Sequence, residues 1–220
     1  MDTYLKDLIR AGEHQQLDFK YEISDSRKIS WTMSAFSNTD GGRLLIGIKD
    51  NGNVVGVKTE EEVHMIIGAG EIFCKPALKP EITRWDVMGK TVLEVYVPKA
   101  IRRPVYARDE TNQWKVWVRV KDQNFKANRV LVRSWSHQKR KRGTYIEMTD
   151  KENLFLKYLD QNQKITFTKT RKLLQWSHWK VENMLVNFLV LDIIQIHFDH
   201  DGIHYSLKNP ILNNPLTVNR

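Results

Sequence analysis

The stretch that decides how this chain begins to fold is AFSNTDGGRLLIGIKD, residues 35–50 of 220. Its polar residues 37–40 end a helix, because short polar side chains compete for the backbone. Gly41 and Gly42 then tolerate positive φ and close backbone approach, so the chain can reverse at once. The apolar residues 44–46 follow directly and predict a strand that is buried on both faces.

Asp50, the last residue of this stretch, lies at the carboxyl end of the predicted strand. The next two residues, Asn-Gly at 51–52, are a hairpin signal that leads into the apolar residues 54–57. Upstream, residues 17–23 (LDFKYEI) alternate between apolar and charged side chains. This period of two predicts a strand with one buried face, and it puts Asp18 and Lys20 on the solvated face.

The rest of the first half adds hairpins and helices in alternation. Residues 81–98 and 103–120 each read as two strands joined by a polar turn, and a helix over 128–136 closes the unit. Several strands, prominent hairpins and intervening helices predict an α+β domain over residues 1–137, built on a mixed, hairpin-rich sheet with flanking helices.

The pattern changes after a basic linker at residues 138–146. Residues 147–208 predict three helices followed by a β-hairpin, which is the arrangement of a winged helix-turn-helix domain. Ser177 is the expected cap of the third helix. The Asn- and Pro-containing residues 209–220 are expected to be a flexible tail.

Composition limits the compartment and the partner. The formal net charge is +9, and no acidic residue falls between residues 123 and 146. Such a surplus favours polyanions, of which nucleic acid is the commonest in solution, although a solvated basic linker explains the local run equally well. One cysteine excludes an internal disulfide, and no apolar run is long enough to span a bilayer. A soluble cytoplasmic protein without a membrane partner is expected.

Three short blocks resemble a known family. Residues 12–20 (GEHQQLDFK) resemble the G-E-x-x-x-x-E-F-K opening of the Schlafen AlbA-type domain. Residues 35–42 (AFSNTDGG) are similar to its A-F-A-N-T-x-G-G signature, and residues 45–56 (LIGIKDNGNVVG) to its L-I-G-V-x-D-x-G-x-I-x-G stretch. The resemblance implies a nucleic-acid-binding domain, and in bacterial relatives such a domain is often followed by a winged helix.

The nuclease members of that family imply a metal site. Their three acidic residues, which hold a divalent metal for RNA cleavage, fall here on Glu13, Asp18 and Asp50, and Asp18 stands where the family usually has Glu. Carboxylates suit Mg²⁺ or Mn²⁺, and Lys20 could counter developing charge on the phosphate. These nucleases build a groove from two lobes, so the single lobe here implies a homodimer.

The same residues also have a purely structural interpretation. In it Asp18 and Lys20 form a solvated strand face, Glu13 caps a turn, and Asp50 opens the Asn-Gly turn, as Asp often does. No further cofactor is predicted, because residues 42–49 (GRLLIGIK) do not match a phosphate-binding loop.

Nucleic-acid contacts are predicted mainly in the second half. Asparagines of the third helix could read adenine, and cations could contact phosphate, but Glu182 in the same helix leaves a protein-interaction winged helix open as an alternative. The predicted contact residues are Lys139, Arg140, Lys141, Arg142, Lys169, Arg171, Lys172, His178, Lys180, Asn183 and Asn187.

Three functions follow from these observations. The first is nucleic-acid binding by a bacterial transcriptional regulator. The second is a Mg²⁺- or Mn²⁺-dependent RNA endonuclease that cleaves tRNA or rRNA through the three carboxylates. The third is a protein-interaction module of a regulatory or defence system.

Overall fold

The computed structural model describes residues 3–138 and 143–209. These residues form seven helices and eleven strands in an α+β arrangement, and the chain divides into two compact units, Met1–Ala127 and Asn128–Arg220. Within the described ranges, no helix is both long and apolar enough to cross a membrane. The α+β class predicted from the sequence is confirmed.

The first unit contains three helices and eight strands. Its helices are α1 (Thr3–Ala11), α2 (Ser26–Asn38) and α3 (Glu61–Glu71). Its strands are β1 (Leu17–Lys20), β2 (Gly42–Ile46), β3 (Cys74–Lys75), β4 (Glu81–Val87), β5 (Lys90–Val97), β6 (Tyr106–Arg108), β7 (Trp114–Val120) and β8 (Gln123–Lys126).

Two four-stranded sheets share the core of this unit. One has the order β1-β2-β5-β4 and the other β3-β6-β7-β8. The predicted hairpin of β4 and β5 forms, with Val87 opposite Lys90 at its turn. β1 and β2 are parallel, so their carboxyl ends meet at one edge of the sheet. Helix α2 packs against both sheets, and its Phe36 is fully buried in the main apolar core.

The first strand differs from its prediction. β1 ends at Lys20, and Asp18 on its supposedly solvated face is only 3% exposed. The prediction that Asp18 faces solvent is wrong, because Arg119 of β7 reaches across and covers that side of the strand. A charged side chain can occupy a buried face when a distant partner neutralises it.

The second unit contains four helices and a small sheet. The helices are α4 (Arg129–Gln138), α5 (Asp150–Asn162), α6 (Phe167–Leu174) and α7 (His178–Val190). The strands are β9 (Ile165–Thr166), β10 (Ile194–Asp199) and β11 (Gly202–Leu207), in the order β10-β11-β9. The β10–β11 hairpin was predicted from the sequence, whereas β9 was not, because it is only two residues long and is defined by its pairing with β11.

Caps define where the helices of the second unit begin. Thr149 forms a full capping box with Glu152 at the start of α5. Thr166 caps α6, and Ser177 caps α7 as predicted. Each cap satisfies a backbone N–H that has no partner inside its own helix. Since caps act within a few residues, sequence is sufficient to place these helix starts.

Helix α4 packs within the second unit. The sequence assigned it to the end of a first domain running to residue 137, but Val130 lies in the core of the second unit, and α4 packs along α7. Asn128, just before α4, donates a hydrogen bond of 2.7 Å to the Tyr205 hydroxyl. An amphipathic pattern shows that a helix has an apolar face but not which core receives that face.

Candidate nucleic-acid interface

The motif at residues 35–42 has a structural role, because its Asn38 hydrogen-bonds to two other segments of the first unit. Asn38, the last residue of α2, is completely buried, and its amide nitrogen donates to the carbonyl oxygens of Val105 (2.8 Å) and Trp117 (2.9 Å). Its amide oxygen accepts from the backbone N–H of Val105 at 2.8 Å. One side chain therefore fastens α2 to two other segments, a role beyond the helix stop predicted for it.

Gly41 and Gly42 are required because the backbone here turns sharply and passes close to the Phe36 ring. Gly41 has a φ of +72°, and a Cβ on Gly42 would lie 2.4 Å from a ring carbon of Phe36. The backbone N–H of Gly41 also bonds the carbonyl of Phe36 at 2.8 Å. The turn is tight because β2 starts directly against the helix that precedes it.

The three predicted metal ligands lie before, within and after the parallel strands β1 and β2: Glu13 precedes β1, Asp18 is in β1, and Asp50 follows β2. Oε1 of Glu13 accepts a 2.8 Å hydrogen bond from the backbone N–H of Phe19. Burial raises the pKa of Glu13, and the negative charges of Asp18 and Asp50 raise it further, whereas the Phe19 hydrogen bond and Lys20 lower it. The two aspartates therefore lie within electrostatic reach of Glu13, although Asp50 itself is exposed.

Asp18 is already held by two cations. Its Oδ1 accepts a 2.9 Å hydrogen bond from Arg119, whose side chain is 1% exposed, and its Oδ2 lies 2.7 Å from the Lys20 ammonium. Arg119 also donates to the carbonyl of Leu17 at 3.1 Å and to Oδ1 of Asn124 at 3.2 Å. This cluster joins β1 to β7 and β8.

These contacts do not fit a resident divalent metal. A Mg²⁺ or Mn²⁺ ligand must offer an oxygen lone pair at about 2 Å, and a cation placed at Asp18 would face Arg119 and Lys20. Throughout the described part of the chain, no group of three or more His, Cys, Asp or Glu side chains is arranged to hold a metal ion. The arrangement supports a structural role for Asp18, with a buried ion pair in place of the solvated strand face that was expected.

Next to this cluster, an open cleft of about 580 Å³ is lined by Tyr21, Lys49, Asp50 and Asn51. Tyr21 follows β1 and Lys49 follows β2, so the parallel pairing brings them together. The Lys49 ammonium lies 5.6 Å from the centre of the Tyr21 ring. An exposed ring beside a lysine can stack on a base and contact a phosphate, and neither residue was predicted as part of a site.

In the second unit, the predicted cations of α6 and the first turn of α7 are all exposed: Lys169, Arg171, Lys172, His178 and Lys180. The acidic residue that argued against nucleic acid, Glu182, is 2% exposed. Its Oε1 lies 3.1 Å from Arg129 Nε and in short contact with Arg133, and its Oε2 lies 3.5 Å from His178. Because residues 161–191 contain no other Asp or Glu, this helix pair exposes only positive charge.

The two predicted base-reading asparagines lie beyond the exposed first turn of α7. Asn183 and Asn187 are half-buried, and Oδ1 of Asn183 accepts a 2.8 Å hydrogen bond from Arg133 of α4. From Val181 onward, no residue of α7 is exposed, since α4 and the domain core cover it. The remaining predicted contacts, Lys139, Arg140, Lys141 and Arg142, lie outside the described residues.

Some residues with clear structural or surface roles were missed. Arg119 carried a usable signal, because in β7 it shares a face with Trp117, and an arginine on a buried strand face requires an acidic partner. Its partner could not be read from the sequence. The exposed ring of Tyr145 carried no periodic signal, since a single surface aromatic has none.

A known protein family matches most of the first unit. The family model described as Schlafen, AlbA_2 matches residues 13–128, which is more than half of the chain. The chain therefore belongs to the Schlafen AlbA_2 family. The family resemblance carried by the three sequence blocks is confirmed. The comparison with curated proteins gives no match.

Two solved structures are similar to part of the chain. One is the N-terminal domain of a Nitrosomonas europaea protein named as related to the ATP-dependent DNA helicase RecG, with 30% identity over 50% of this chain and 83% of that one, and a TM-score of 0.39. The other is the DIP2311 protein of Corynebacterium diphtheriae, with 19% identity over 62% of this chain and 30% of that one, and a TM-score of 0.44. The Schlafen AlbA_2 family assignment suggests a role connected with nucleic acid.

Proposed function

We propose that this chain is a bacterial DNA-binding transcription regulator whose second unit is a winged helix. The order of helix, short strand, two helices and hairpin supports this, with β9 pairing to the hairpin that would be the wing. In such domains the helix pair contacts the duplex. The pair here is α6 and α7.

The observation that carries the proposal is the removal of negative charge from this helix pair. Glu182 is buried against Arg129 and Arg133, so the charged side chains that α6 and the first turn of α7 expose are all basic. Lysines and arginines contact phosphates and release counterions, and binding of this kind weakens steeply as salt rises. Because Asn183 and Asn187 are half-buried, base reading would fall to the exposed first turn of α7.

The test is duplex-DNA binding by the full chain at several salt concentrations, followed by fluorescence anisotropy. Replacing Lys169, Arg171 and Lys172 together by alanine should flatten the slope of log affinity against log salt by about 0.9 for each phosphate that is no longer neutralised. The matched control replaces three exposed lysines elsewhere, Lys75, Lys79 and Lys157, and so removes the same charge. An unchanged slope in the first variant would overturn the proposal and favour a protein-interaction module.

Metal-dependent RNA cleavage is not part of this proposal, because Asp18 is paired with Arg119 and Lys20. Small structured RNAs incubated with the full chain, with and without Mn²⁺, should be retained without being cut. Cleavage that disappears in Glu13→Ala and Asp50→Ala would restore the nuclease hypothesis. The homodimer also stays a prediction, which light scattering of the full chain tests directly.

A further inference from the structure

Two clefts lie side by side along α7 in the second unit, with volumes of about 290 and 470 Å³. Both are lined by the same four side chains, Tyr145, Trp179, Asn183 and Asn187. They therefore meet along one surface, which we call the α7 groove. It shares Trp179 and Lys180 with the first turn of α7, whereas Tyr145 lies outside the helix pair proposed for the duplex.

The groove exposes two large aromatic rings. Tyr145 is 85% exposed, and Trp179 at 66% is the most exposed of the seven tryptophans. A tryptophan in the first turn of a helix gains little for folding when two-thirds of it faces water. Exposed aromatic rings in a groove are the surfaces on which unpaired bases stack.

Amide groups lie beside these rings. Asn183 uses its Oδ1 to accept from Arg133, which fixes the orientation of the amide and turns its N–H₂ away from that bond. Asn187 lines the same two clefts one helical turn further on. Amides placed beside a stacked ring can bond the edge of a base.

Charge differs between the two clefts. The larger cleft is lined by Arg133 and His137 and by no acidic residue. Two arginines face the single carboxylate of Glu182, so that cluster keeps a net positive charge. The smaller cleft includes Glu147 and Glu152 against one cation, Lys180, and a phosphate is therefore favoured on the larger side.

We propose that the α7 groove binds unpaired bases of single-stranded nucleic acid. A base stacks on Trp179 and Tyr145, and the phosphate backbone follows the larger cleft past Arg133. An enclosed small-molecule site would bury most of its ligand, whereas these rings are largely open to solvent, as a passing strand requires. The inference rests on the proposed nucleic-acid function and names a second class of substrate for it.

The test titrates the full chain with eight-nucleotide oligo-dT and oligo-rU and follows tryptophan fluorescence and anisotropy. Trp179→Ala and Tyr145→Ala should each weaken binding by about 5- to 150-fold, the range for losing one stacked base. The matched control is Trp114→Ala, which removes a partly exposed tryptophan of the first unit and should leave the affinity unchanged. Thermal melts check that each variant folds.

The failure of this inference is separable from failure of the proposed function. Loss of single-strand binding in Tyr145→Ala, with duplex binding retained, supports the groove, because Tyr145 lies outside the helix pair proposed for the duplex. Duplex binding without any single-strand binding, or single-strand binding that Trp179→Ala leaves intact, overturns the groove alone. A mononucleotide that competes as well as the octamer also overturns it, in favour of a small-ligand site. Loss of duplex binding in the α6 triple variant concerns only the proposed function.

Discussion

Asp18 in the first unit and Glu182 in the second are both buried acidic side chains paired with basic ones, but the two clusters differ in how exposed their arginines are. Around Asp18, the arginine partner is itself buried, with 1% of the Arg119 side chain exposed. Around Glu182, the partners remain at the surface, with 76% of Arg129 and 26% of Arg133 exposed. Arg119 is therefore inaccessible to a ligand, whereas the guanidinium groups of Arg129 and Arg133 can be contacted from solvent.

This difference separates a structural ion pair from a charged surface. Arg119 joins β1 to β7 and cannot contact a phosphate, so the family's acidic position at Asp18 becomes part of the scaffold. Arg129 and Arg133 neutralise Glu182 and fasten α4 to α7 while one positive charge is left over. The same pairing chemistry thus has opposite consequences for ligand binding.

The largest expected effect tests the buried pair. Arg119→Gln leaves Asp18 buried with only Lys20 beside it, and we expect a loss of about 3–5 kcal/mol in the stability of the first unit. Because two units need not unfold together, hydrogen exchange of the β2 amides is the measurement. Lys20→Gln is the control. Its side chain is 39% exposed, so its loss should be under about 1 kcal/mol. Equal losses would mean that Asp18 is not held mainly by Arg119.

A smaller effect is expected in the second unit. Arg133→Gln removes one partner of Glu182 but leaves Arg129, so the cost should be about 1.5–3 kcal/mol, read from exchange of the α7 amides. The control, Arg129→Gln, changes a side chain that is largely in water and should cost less than about 1 kcal/mol. If Arg133→Gln were as damaging as Arg119→Gln, the two clusters would be energetically equivalent despite the different exposure of their arginines.

The smallest expected effect concerns the pKa of Glu13, which the charges of Asp18 and Asp50 influence. An NMR titration should give Glu13 a pKa above the ordinary value for a glutamate, because burial and the charges of Asp18 and Asp50 oppose ionisation. Asp50→Asn should lower that pKa, while Asp122→Asn, at another exposed acid, should not. Since the folded pKa is raised, the folded state binds the extra proton, and this carboxyl's contribution to stability falls as pH rises from the ordinary to the raised value. Identical Glu13 titrations in wild type and Asp50→Asn would place the two groups out of contact.

Much of the first unit could be predicted from the sequence because its signals are local. The helix end at residues 37–40, the glycine turn and the buried strand after it, and the β4–β5 hairpin all depend on neighbours within a few residues. The candidate site was predicted less well. The family pattern proposed Glu13, Asp18 and Asp50 as one metal site, but it could not predict that Asp18 is paired with Arg119, because that pairing depends on a distant strand.

The sequence by itself determined the capped helix starts, the glycine turn, the apolar faces of most elements and the excess of positive charge, because propensity, capping and periodicity act over a few residues. Only the tertiary structure decided which charges remain available. Asp18 meets Arg119 across 101 residues, and Glu182 meets Arg133 across 49. Removing an ion from water is costly unless another charge replaces that water, so the fold decides which acids are neutralised inside and which cations stay at the surface.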